Sequence, residues 1–103
     1  MIEIIEQRRA DVGALCRQHG VKKLEIFGSA TGSAWDPARS DLDFLVEFLA
    51  GHDLGPWMGR YFEFKEQLER LFERPVDVIF ASALKNAYFR REVDRTRIAV
   101  YVA

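Results

Sequence analysis

Asp41 and Asp43 open the apolar run LDFLVEF, and on a β-strand they project to one side while Leu42, Phe44, Val46 and Phe48 project to the other. Two carboxylates held this way raise each other's pKa and oppose folding until a cation or a bound proton offsets the repulsion. Mg²⁺ suits such a pair, because it binds through a few carboxylate oxygens and completes its shell with water and substrate phosphates. An isolated Asp-x-Asp has an alternative reading as a solvated strand end that holds nothing.

Two further features bear on the choice. Leu24-Glu25-Ile26-Phe27 reads as a strand, and Gly28-Ser29 follows where the chain must turn and where a bulky side chain would obstruct a ligand. If Ser29 starts a short helix, its hydroxyl and the free backbone N–H groups make a site for phosphate oxygens; an ordinary strand-to-turn glycine with a serine cap is the other reading. Asp77 is the one acid in the β-rich run Val76–Phe80, facing away from Val76 and Val78. A carboxylate among apolar residues is costly to bury alone, so a metal site or an ion pair with an arginine would explain it. A strand paired beside Asp41–Phe48 could bring Asp77 to the other two acids.

The order of these parts, FGS after a strand, then a loop, SDLDFLVEF, a helix and a strand with one more aspartate, resembles the nucleotidyltransferase superfamily typified by DNA polymerase beta. The short length and the phrase from Phe27 to Phe48 resemble its minimal nucleotidyltransferase branch, antitoxin partners of HEPN-domain toxins. The resemblance implies an α+β (α/β) fold, with a mixed, mainly antiparallel sheet of about three to four strands flanked by helices. It also implies that Asp41, Asp43 and Asp77 hold two Mg²⁺ ions and are the catalytic residues. Gly28, Ser29 and Ser40 are then expected to meet the nucleotide. By the same resemblance ATP is the donor, a tyrosine hydroxyl of a cognate HEPN toxin is the acceptor, and AMP is transferred with release of pyrophosphate. Two competing functions are a non-enzymatic antitoxin that masks its toxin and a small-molecule nucleotidyltransferase. Many relatives carry an arginine where this chain has Thr31 before Gly32, so one phosphate contact of the family is lost.

Composition narrows the field. At 103 residues with 49% hydrophobic content the chain is expected to form a single packed domain over residues 1–103. A net charge of -1 supplies no basic field for long nucleic acid. The single cysteine, Cys16, has no internal disulfide partner, which suits a reducing cytoplasm, and no apolar run reaches membrane-spanning length.

The elements that must position the acids follow from periodicity. Residues 1–19 predict a helix stopped by Gly20, with Ile5, Val12, Leu15 and Cys16 on one face. Val21–Phe27 predicts the first strand and Asp41–Phe48 a second, central one. Glu47 shares the face of the two aspartates and reads either as a supporting acid or as an exposed strand-end charge. Pro37, Arg39 and Ser40 belong to the turn before that strand, where Ser40 could brace Asp41 and Arg39 could reach a phosphate. His52 and Asp53 read as a loop tip. Residues 57–73 predict a helix with Trp57, Tyr61, Phe64, Leu68 and Leu71 turned to the core. Residues 82–96 predict a last helix capped by Ser82, with Leu84, Tyr88, Phe89 and Val93 near one face and a basic end; Ile98–Val102 predicts an edge strand.

Overall fold

A computed structural model describes residues 3–31 and 41–103, with the side chains of Ser29 and Ala30 excepted. The helices are α1 (Glu3–Gln7), α2 (Arg9–Gln18), α3 (Gly59–Phe72) and α4 (Ala87–Thr96). The strands are β1 (Val21–Phe27), β2 (Leu42–Phe48), β3 (Val76–Phe80) and β4 (Ile98–Val102), in the spatial order β3-β2-β1-β4. β1 pairs antiparallel with both β2 and β4, while β2 and β3 run parallel. This is the mixed, mainly antiparallel sheet flanked by helices, and β4 is an edge strand, as its alternating pattern predicts.

The sheet has two different faces because its strands alternate. Leu24, Ile26, Leu42, Phe44, Val46, Val76 and Val78 form one face and pack against Ile5, Val12 and Cys16 of α1 and α2 and against Phe64, Leu68 and Phe72 of α3. Residues directly paired across strands share a face, so the opposite face carries the rows Phe27–Asp43–Asp77 and Glu25–Leu45–Ile79. Only part of it is covered. Leu84 and Val93 close a second, smaller core over Phe27, Leu45 and Ile79, and the acidic row lies at its margin.

Several local expectations change. The N-terminal helix comes in two pieces, because the Arg8 amide makes a tight turn onto the Ile5 carbonyl (3.2 Å) and α2 starts afresh at Arg9. Gly20 does end α2, at φ +69°, and a Cβ there would lie 2.4 Å from the His52 ring. Trp57 is 95% exposed, outside the core, because the chain forms a short 3₁₀ turn over Pro56–Met58 with Trp57 and Met58 both left-handed, which rotates it away from the α3 stripe. Of that stripe Phe64 and Leu68 are buried and Tyr61 and Leu71 half-buried. Ser82 caps no α-helix. It lies in the 3₁₀ turn Ala81–Ala83, and Asn86 caps α4 by accepting the Phe89 amide at 3.0 Å. Starting the helix four residues later puts Val93 inward, sets the Phe89 ring edge-on to Phe27 (6.2 Å) and leaves Tyr88 exposed.

Both free edges of the sheet are covered locally. On β3 the Tyr61 hydroxyl donates to the Val78 carbonyl (2.5 Å) and Glu69 Oε2 accepts the Val76 amide (3.3 Å). Arg9 Nη2 reaches the Ala99 carbonyl of β4 at 3.3 Å. Side chains from the helices thus occupy backbone groups that would otherwise template another strand.

Candidate functional site

The site is built where β1 ends and β2 and β3 begin. Antiparallel pairing sets Phe27 opposite Asp43, and parallel pairing sets Asp43 opposite Asp77. Three adjacent strands therefore deliver two carboxylates side by side on the less covered face. Asp41 lies just ahead of β2 and is exposed.

The electrostatics show how closely these groups share the space. Asp43, half-buried in the middle of the row, has its pKa pushed up to about 6, first by burial, then by the charge of Asp77 and a side-chain hydrogen bond with it, and then by the charge of Asp41. Like charge facing Asp43 across the strand pair disfavours its ionised form, so a proton or a cation at this carboxyl relieves the repulsion. The Tyr61 hydroxyl, on the flank of β3, is also raised, by burial and then by Asp77. Asp77 itself is exposed, because β3 is the outer strand; Asp43 is the more buried acid, the reverse of what an aspartate in an apolar run suggests.

Gly28 follows Phe27 at φ +78°, a conformation that favours glycine, and starts the 3₁₀ turn Gly28–Thr31. A Cβ at Gly28 would come within 3.1 Å of Asp43 Oδ2. The missing side chain thus brings backbone directly against the central carboxylate. Its amide is not open to a ligand: Gly28 N–H donates to Thr96 Oγ1 at 3.0 Å, and the Thr31 hydroxyl donates to the Gly28 carbonyl at 2.8 Å. Ser29 has its backbone in the same turn, and its side chain lies outside the described residues; Ser40, Arg39 and the rest of residues 32–40 lie outside them altogether.

Other candidates are accounted for elsewhere. Glu47, two rows from the acids, pairs with Lys22 at 3.5 Å. Asp53 accepts the Gly55 amide (2.8 Å), and His52 stacks on Phe48 at 5.6 Å. Burial pushes the Cys16 thiol up to about 12, which leaves it an inert core residue. Thr96 was not legible as a site residue; its only sequence signal is a hydroxyl in the last turn of a basic helix.

Among the described residues no three histidine, cysteine, aspartate or glutamate side chains form a ready-made metal cage. Asp43 and Asp77 nevertheless fit a hard divalent cation, since two facing carboxyl groups that resist joint ionisation are what such a charge relieves, with substrate oxygens completing the shell. Also among the described residues, no helix is long and apolar enough to cross a membrane.

Comparison with known proteins agrees with this geometry. The nucleotidyltransferase domain family matches residues 12–100. A Methanocaldococcus jannaschii protein named as a candidate protein adenylyltransferase is 31% identical over 98 residues, covering 95% of each chain. A solved structure of a candidate minimal nucleotidyltransferase superposes with TM-score 0.72 at 32% identity, covering 93% of this chain and 92% of that one. A chain from the complex of a tri-AMPylated Shewanella oneidensis HEPN toxin with an MNT antitoxin shares the fold at TM-score 0.65 and 14% identity, covering 96% of this chain and 73% of that one. Strand order, carboxylate pair and family match converge: the chain belongs to the nucleotidyltransferase domain family and is a nucleotidyltransferase of the minimal kind.

Proposed function

We propose that the protein is a Mg²⁺-dependent antitoxin that moves AMP from ATP to a tyrosine hydroxyl of a cognate HEPN toxin and thereby inactivates it. The observation that supports this most is the facing of Asp43 and Asp77 across β2 and β3, with the Gly28 turn pressed against Asp43. The M. jannaschii relative's name points the same way for the reaction, and the Shewanella complex for the partner.

In this reading Asp41, Asp43 and Asp77 hold two Mg²⁺ ions. Bound metal would supply charge neutralisation at the phosphates and lower the pKa of the acceptor hydroxyl. The residues of the chain do the rest. Gly28 leaves room for the phosphates beside Asp43, and Ser29 and Ser40 contact them. Asp77, exposed at the outer strand, faces the incoming tyrosine and favours loss of its proton. The tyrosine hydroxyl passes its proton to Asp77, its oxygen forms a bond to the α-phosphorus, the bond from that phosphorus to the bridging oxygen breaks, and pyrophosphate carries away the electron pair. Positioning, charge and that one proton acceptor are the whole contribution, as phosphoryl-type transfer requires.

The test is direct. Purified protein, Mg²⁺, ATP labelled at its α-phosphate and the cognate HEPN protein that this reading requires are combined. The HEPN protein is expected to become labelled, and Asp41→Asn and Asp43→Asn to reduce labelling to background. If those variants still protect cells fully from the toxin, masking by binding replaces transfer.

A further inference from the structure

We propose that Thr96, the last residue of α4, is a positioning residue for nucleotidyl transfer: its hydroxyl locks the Gly28 turn against Asp43. This inference rests on the transfer reading above. A hydroxyl has one proton to give, and Thr96 gives it back into its own helix, to the Glu92 carbonyl (3.1 Å) or the Val93 carbonyl (3.3 Å). The oxygen lone pairs are thereby left facing out of the helix, and one of them receives the Gly28 amide at 3.0 Å. The polarity of the contact is fixed, and so is the distance between helix and turn.

α4 holds the preceding residue as well. Phe89 contacts Phe27 edge-on at 6.2 Å, and Val93 packs in the same small core as Phe27 and Leu45. Phe89, Val93 and Thr96, spaced along one side of α4, thus hold Phe27 and Gly28 in succession. What they hold in place is a backbone segment set so near Asp43 that a single added carbon at Gly28 would sit 3.1 Å from its carboxylate. Releasing the amide of Gly28 frees the turn to drift outward. Phosphates seated on the turn then lose alignment with the carboxylates, and misplacement on the scale of 1 Å costs about 100-fold in rate.

Three variants and one physical measurement test this. Thr96→Val keeps the shape and removes the acceptor, Thr96→Ala removes both, and Thr96→Ser keeps the hydroxyl. With Mg·ATP and the HEPN protein, Thr96→Val and Thr96→Ala are expected to lower kcat by about 10- to 100-fold with KM for ATP changed less than about threefold, and Thr96→Ser to restore kcat to within about threefold. In hydrogen exchange the Gly28 amide is expected to be protected in the wild type and to exchange at least about tenfold faster in Thr96→Val, with β1 and β2 amides unchanged. Wild-type kcat in Thr96→Val, or failure of Thr96→Ser to restore it, overturns the proposal. If Thr96→Val does not fold, wild-type exchange decides, and a loop-like rate at Gly28 overturns the lock. Absence of AMP transfer by the wild type refutes the transfer reading instead, and Gly28 exchange then judges the lock by itself.

Discussion

Replacing Asp43 with asparagine is expected to stabilise the metal-free protein while removing its activity. The carboxyl of Asp43 is pushed from 3.8 up to about 6, first by burial and then by Asp77 and Asp41. Taken at face value that displacement corresponds to about 3 kcal/mol held against ionisation. The side chain is only half-buried, so solvent screens the interaction and about 1 kcal/mol is the expected share. Because the folded value lies above the unfolded one, the folded state keeps this proton to higher pH. Its stability therefore falls as pH rises from about 4 to about 6 and stays lowered above that window. An asparagine has no proton to lose, and its amide donates to Asp77 without one.

The assay is thermal unfolding in EDTA at two pH values. At pH 7.5 the Asp43→Asn protein should melt about 5 °C above the wild type, the equivalent of about 1 kcal/mol in a domain of this size. At pH 4.5, near the foot of that window, the difference should shrink to about a third. Adding Mg²⁺ and ATP should raise the wild type by about 2.7 kcal/mol at 100 times the dissociation constant and leave the variant nearly where it was. A variant that melts no higher at pH 7.5, or by the same margin at both pH values, refutes the account of Asp43 as a carboxyl held against its own charge.

Gly28→Ala should lower transfer at least about 100-fold and destabilise by about 1 kcal/mol or more, since φ is +78° and the added carbon meets Asp43 Oδ2 at 3.1 Å; kinetics and melts check both. Asn86→Ala should cost about 1 kcal/mol by loss of the cap to Phe89, whereas Ser82→Ala should be nearly neutral, a pair that denaturant midpoints separate. Tyr61→Phe leaves the Val78 carbonyl without its donor on the outer edge of β3; it should cost about 1 kcal/mol and promote association, read by light scattering.

The parts of the fold that were legible in the sequence are those in which one local rule and the tertiary context agree. Alternation in Leu42–Phe48 and Val76–Phe80 gives both strands and the face of each aspartate, and the glycine at Gly20 marks the end of the first helical segment. Trp57 misled because its spacing continues the α3 stripe, yet Gly55 and Pro56 begin a 3₁₀ turn whose left-handed residues break that phase. Ser82 misled because two cap-forming residues stand four apart, and packing of Val93 over Phe27 and Leu45 chooses the later start. At the site, residue types disclosed the carboxylates but not which was buried. That depends on strand order, which puts Asp43 inside the sheet and Asp77 at its edge.

The use of the Gly28 amide shows why the remainder could not be read locally. A glycine after a strand announces a turn and a close approach, but whether its N–H meets a ligand or the protein depends on a residue 68 positions away. α4 is amphipathic and basic at its end, so pattern alone makes it a cover for the sheet. Its second task, holding the turn beside Asp43, rests on a hydroxyl whose proton is already committed to its own helix. A threonine at a helix end is common, and only when the fold lays that end against β1 does the same hydroxyl become part of the site. In so small a protein the helix that closes the second core and the helix that fixes the site are one element, so substitutions in α4 should disturb stability and transfer together, and at Thr96 transfer should follow the hydroxyl, lost in Thr96→Val and kept in Thr96→Ser.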